Sequence, residues 1–199
     1  MDKTNIIQLK LRDFESQILY FNGMYKLPVA PAPSIFYEAQ HTMKRYNLEA
    51  ADSRDMITDR LINFKKIISE EIEEVNDIAQ SIKLGFKMKD GILVEPKTEY
   101  TPMEFLTDMA DWLGDIQVYC ASEMARYGIP IKETLSIIMS SNFSKLGVDG
   151  KPIYDERGKV QKGPGYWKPE PQIQAMLEEK VADYSSSLNE VKPNGIVWR

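Results

Sequence analysis

Apolar residues recur along this chain at the three-to-four-residue spacing of helices, interrupted by short stretches of proline and glycine. Ile7, Leu11, Phe14, Ile18 and Phe21 predict a first amphipathic helix over about 4–23. The segment LPVAPAPS at 27–34 is a connector, and a second helix is expected from about Ser34 to Tyr46. Ser53 reads as the N-cap of a long helix running unbroken to Leu84 and stopping at Gly85. FKMKDGILVEP predicts a loop or a short hairpin around Asp90-Gly91. Thr101-Pro102-Met103-Glu104 combines an N-cap threonine, a proline at the first helical position and a glutamate placed for a capping box. The helix it opens should reach Tyr127, with Gly128 as its C-cap, and another should span about 130–146.

From Val148 to Pro171 the pattern changes. Glycines, prolines, lysines and aromatics replace the helical periodicity, as in a hairpin and an extended strap. PQIQAMLEEKVADY predicts a terminal helix, and SSSLNEVKPNG reads as a mobile tail. The expected fold is all-α, a helix bundle with a C-terminal hairpin or strap.

Two helical segments carry carboxylates where their apolar stripes should continue. Along the long helix, positions 64, 67, 71, 74 and 78 read Phe, Ile, Glu, Glu, Ile. Glu70, Glu71 and Glu74 fall within an arc of roughly 100°, whereas Glu73 points elsewhere as a surface residue. In FLTDMADWLGDIQVYC, Asp108, Asp111 and Asp115 fall within roughly 60°. Ile116, Val118, Tyr119, Cys120, Ala121 and Met124 make the rest of that helix apolar on nearly every side, so it should be largely buried. Carboxylates facing one another in a bundle repel unless a cation stands between them. Lysines or a metal could supply it. Magnesium suits an oxygen-only set, because it takes carboxylates together with waters and substrate phosphates.

Composition narrows the choices. The chain has 199 residues, 28% charged and 43% hydrophobic, with a net charge of -5, as expected of one globular domain rather than a basic nucleic-acid binder. One cysteine and one histidine exclude an internal disulfide, cysteine-rich metal sites and HExxH chemistry. Cys120 is expected in the core and His41 at the surface or its boundary. No apolar run approaches the ~20 residues that span a bilayer. The polar start MDKTNIIQLKLRD carries no secretory signal, so a cytoplasmic location is expected.

The EExxE helix, followed by a (E/D)xxD helix that continues as LGDIQVY, resembles the all-α nucleoside triphosphate pyrophosphohydrolases. That superfamily includes the MazG proteins, phosphoribosyl-ATP pyrophosphohydrolase and dimeric dUTPases. The stretch SSNFSKLGVDGKPIYDERGKVQKGPGYWKP is the more distinctive part. It is similar to the tail of the MazG-like or phosphoribosyl-ATP-pyrophosphohydrolase-like branch. The resemblance covers roughly 15–171, giving a MazG-like domain over 1–171 (strap 148–171) and a terminal helix and tail over 172–199.

The resemblance implies a homodimer or homotetramer that cleaves a (deoxy)nucleoside triphosphate to monophosphate and pyrophosphate, as in nucleotide-pool housecleaning. It implies magnesium, with manganese as the alternative ion. Glu70, Glu71 and Glu74 match the EExxE ligands, and Asp108 and Asp111 match the ExxD pair, with aspartate in the first place. Alignment on LGD would instead make Asp115 the principal ligand. Asn142 and Lys145 fall where polar residues are expected to reach the substrate, and Lys151, Lys162 and Tyr166 of the strap are weaker candidates. No nucleic-acid or membrane partner is expected. Alternative readings are a phosphoribosyl-ATP pyrophosphohydrolase and a non-catalytic helical module that binds nucleotide or metal.

Overall fold

A computed structural model of the chain describes residues 13–46, 53–96 and 98–190. The positions of Ile7 and Leu11, and the tail from residue 191, lie outside them. The described helices are α1 (Phe14–Met24), α2 (Phe36–Tyr46), α3 (Ser53–Glu73), α4 (Val75–Leu84), α5 (Pro102–Arg126), α6 (Ile131–Phe143) and α7 (Glu170–Glu190). A two-stranded antiparallel hairpin, β1 (Met88–Lys89) and β2 (Ile92–Leu93), lies between α4 and α5. The fold is all-α.

Local chemistry accounts for most boundaries. Asp13 caps α1 by accepting from Ser16 N at 2.9 Å. Ser34 Oγ accepts from the Phe36 and Tyr37 amides at the start of α2. Thr101 and Glu104 form the reciprocal capping box at α5, with Pro102 in the first turn. Asp90 and Gly91 both have positive φ, as a two-residue hairpin turn requires. The Asp77 carboxylate accepts from both of their amides, tying the turn to α4.

The long helix expected over 53–84 is broken at Glu74. In an unbroken helix the Glu71 carbonyl would accept from Val75. Here it accepts from Glu74 N at 3.3 Å and from the Trp112 indole at 2.8 Å. A side chain inserted into the helical hydrogen-bond ladder is a recognised cause of a kink. The terminal helix departs from expectation in the other direction. It runs through Ser185–Ser187 to Glu190, and Lys180 pairs with Glu133 of α6 at 3.3 Å.

Helix α5 is the spine of the bundle. Ile18 of α1, Ala121 and Ala125 of α5 and Ile131 of α6 form the buried core, with Val118 and Met124 packed against it. Asn22, fully buried, exchanges two hydrogen bonds with Ser122. The proline-rich connector crosses the end of α5, where the Ala30 and Ser34 amides donate to the Ala125 and Tyr127 carbonyls. Gly128 makes that crossing feasible. It has φ 63°, and a Cβ there would stand 2.3 Å from Ala32 O.

A buried ion network fastens α2, α3 and α5. Arg60 binds Glu123 through two nitrogens, and Arg126 binds Glu38 at 2.9 and 3.1 Å while its Nε approaches Glu123 at 3.6 Å. The opposite side of α5 is open, which corrects the expectation of a largely buried helix. Met103, Leu106, Ala110, Leu113, Gln117 and Cys120 recur at alternating steps of three and four, and all are exposed. Cys120 is therefore a surface residue; partial desolvation still pushes its thiol up.

Candidate functional site

The C-terminal turn of α3, the break and the N-terminal half of α5 meet around Glu71. The contact is set by Trp112, whose indole N–H reaches across to the Glu71 carbonyl. Glu71 is only 8% exposed here, and its Oε1 is buried with no hydrogen-bond partner. Burial pushes the Glu71 carboxyl above the usual range, and the charges of Glu74, Asp115 and Asp111 push it further in that order. Glu74, Asp111 and Asp115 are themselves exposed. Tyr119 lies one turn beyond Asp115, and its hydroxyl is pushed up by burial and then by Glu71, Asp115 and Glu74.

The predicted carboxylates thus divide. Glu74, Asp111 and Asp115 each act electrostatically on Glu71. Glu70 does not join them: it is 67% exposed and pairs with Lys66 one turn back at 3.7 Å. Asp108 is also occupied elsewhere. Lys87 Nζ donates to both of its oxygens, and Tyr100 OH donates to Oδ2 at 2.7 Å. Glu73 is a surface residue bonded to Asn76.

Among the described residues, no three His, Cys, Asp or Glu side chains stand close enough together to hold a metal ion. The donor chemistry nevertheless suits a hard divalent cation. Glu71 and the three carboxylates that repel it supply only oxygens, and one of the Glu71 oxygens is buried without a partner.

The candidates at the end of α6 form a separate group. Lys145 Nζ donates to Asn142 Oδ1 at 2.6 Å, and Lys162 Nζ lies 4.5 Å from the Tyr166 ring centroid. Lys151 is exposed, with its amide bonded to Asp149. The strap carries a turn closed by a Tyr154–Val160 bridge and is pinned to α6. Ser141 Oγ donates to Trp167 O, and Gly163 N donates to Lys145 O. None of the hydrogen bonds or ion pairs described for these five residues reaches the acidic set.

Sequence reasoning missed Trp112, Tyr119, Lys87 and Tyr100. For Tyr119 a signal existed, since it continues the Asp111–Asp115 stripe at a four-residue step. Lys87 had none, because it lies outside the helix it serves.

Among the described residues, no helix is long and apolar enough to cross a membrane. No protein-family model matches the chain, and a search of the curated proteins finds no match. A comparison with solved structures finds a chain from Exiguobacterium sp. 255-15, described as a "putative NTP pyrophosphohydrolase". The two share 19% identity over 86% of this chain and 98% of that one, with a TM-score of 0.45.

Proposed function

We propose that this protein is a magnesium-dependent pyrophosphohydrolase that cleaves (deoxy)nucleoside triphosphates to monophosphates and pyrophosphate. The observation that carries the reading is the Glu71 carboxylate, buried with an unpartnered oxygen and opposed as a charge by Glu74, Asp115 and Asp111. A protein that retains such a repulsive arrangement has a cationic ligand as its simplest compensation. The EExxE, DxxD and SNFSKL segments give that ligand its nucleotide context.

Glu71, Glu74, Asp111 and Asp115 would hold the ion, with Asp115 rather than Asp108 beside Asp111. Binding would require the exposed side chains of Glu74, Asp111 and Asp115 to turn in toward Glu71, since no three of them converge without it. When bound, Mg²⁺ or Mn²⁺ would neutralise phosphate charge and acidify a coordinated water. The chain's own work is to position and to accept protons. A carboxylate left free of the ion can take the proton of the attacking water. Burial and neighbouring charge raise the proton affinity of Glu71 above that of an ordinary carboxylate. Lys145 offers a point charge for phosphate and Asn142 an amide for base or sugar.

The reading includes a homo-oligomer. The exposed seam on α5 has the spacing by which helices pair.

The test is incubation with a panel of nucleotides and Mg²⁺, with the products identified. Pyrophosphate with the monophosphate supports the reading. Orthophosphate alone, or turnover unchanged in Asp111→Ala, would sink it.

A further inference from the structure

The group around Asp108 has a use beyond holding the hairpin to α5. Lys87 Nζ donates to both Asp108 oxygens, at 2.5 Å to Oδ1, and sits 5.7 Å from the centroid of the Tyr100 ring. Tyr100, itself buried, donates to the same carboxylate. An ammonium has three donors. Asp108 engages two, and the Lys87 side chain remains 34% exposed, so one N–H is left to act outward.

The position of this ammonium matters more than its pairing. Asp108 precedes Asp111 by three residues, a rise of roughly 4.5 Å along α5 on the same face. At the other end of the acidic set, Tyr119 offers a partly exposed ring four residues beyond Asp115. The face of α5 therefore runs from cation through carboxylates to aromatic. A nucleoside triphosphate bound with its α–β linkage at the carboxylates has the same order, from terminal phosphates through the linkage to sugar and base.

We propose that Lys87 contacts the terminal phosphates of the nucleotide, and that Asp108 and Tyr100 are its positioning residues rather than parts of an ion site. The inference rests on the pyrophosphohydrolase reading and gives that substrate a direction along α5. A charge-assisted bond from an ammonium to phosphate is among the stronger polar contacts, and a lysine supplies it as a point charge. A monophosphate lacks the groups that Lys87 would meet. Discrimination between the two nucleotides thus separates a binding role from a merely structural one.

Calorimetry in Mg²⁺ with α,β-imido-ATP and with AMP, and with the corresponding pyrimidine pair, provides the test. Lys87→Met keeps an unbranched side chain of similar length without the charge, and should weaken the imido triphosphate about tenfold or more while leaving the monophosphate within about twofold. Lys87→Arg should restore most of the loss. Equal weakening of both nucleotides, or of neither, overturns the proposal. A wild-type protein that binds neither nucleotide overturns the pyrophosphohydrolase reading itself, which is a different result. Mn²⁺ binding to Asp108→Asn supplies a measurement independent of how well Lys87→Met folds. Asp108 is assigned to Lys87 and not to the ion's ligands or their hydrogen-bond partners, so affinity near that of wild type is expected. A loss of about tenfold or more would place Asp108 in the ion site, as a ligand or as a partner of one, and overturn the assignment.

Discussion

At the scale of single residues, Glu71 is held against its own preference. Its charged form is opposed by burial and by three neighbouring carboxylates, so its folded-state pKa is raised above the usual value near 4.5. The sign of the linkage follows. The folded chain binds this proton more tightly than the unfolded chain, and the resulting stability is fully present below the unfolded value and lost as pH rises through the folded one. Near pH 7, and without metal, Glu71→Gln should therefore raise the melting temperature by a few degrees, on the order of 1–3 kcal/mol. The same variant should lose both turnover and the thermal shift that Mg²⁺ confers on wild type. A Mg²⁺ shift that survives in Glu71→Gln would separate this carboxylate from the ion. Glu104 has the opposite sign. Hydrogen bonds from Thr101 hold its carboxyl below the usual range, so the capping box contributes above the unfolded value and fades as pH falls through the folded one. Thr101→Ala should cost about 1 kcal/mol in urea denaturation.

At the scale of elements, the bundle is fastened by polar rivets as much as by its small core. Removing Arg60 would leave Glu123 buried with only the longer contact to Arg126. Arg60→Met should accordingly destabilise by about 3 kcal/mol, read from the shift in urea midpoint at constant slope. Gly128→Ala combines a left-handed backbone with a clash against Ala32 O, and should cost at least ~1 kcal/mol. What could be read in advance divides by range. The capping box at Thr101–Glu104, the stops at Gly85 and Gly128 and the Asp90-Gly91 turn depend on neighbours in sequence, and each is where its chemistry puts it. The break at Glu74 was not legible. Glutamate is a good helix former, and the disturbance comes from Trp112, which binds the Glu71 carbonyl 41 positions before it. The same limit applies to the site. Helical spacing separated Glu71 and Glu74 from Glu73, but the pairing of Asp108 with Lys87 depends on how the hairpin lies against α5.

At the scale of the whole molecule, the uncovered seam of α5 is the feature a lone chain does not explain. Leu113 stands near the middle of it, on the side of α5 away from Asp111 and Asp115. Leu113→Glu should convert an oligomer to a monomer in light scattering, while the melting temperature of the isolated chain changes little. Elution of wild type at monomer mass would count against the oligomer. The bond between Trp112 and the Glu71 carbonyl has a practical consequence for all of these measurements. It couples an indole directly to the backbone of the residue on which the proposed chemistry depends, so the protein carries its own optical reporter. With Trp167 and Trp198 replaced by phenylalanine, the emission of Trp112 should shift as Mg²⁺ is titrated in, and Glu71→Gln should abolish that shift. Ion occupancy could then be followed in real time without label or substrate.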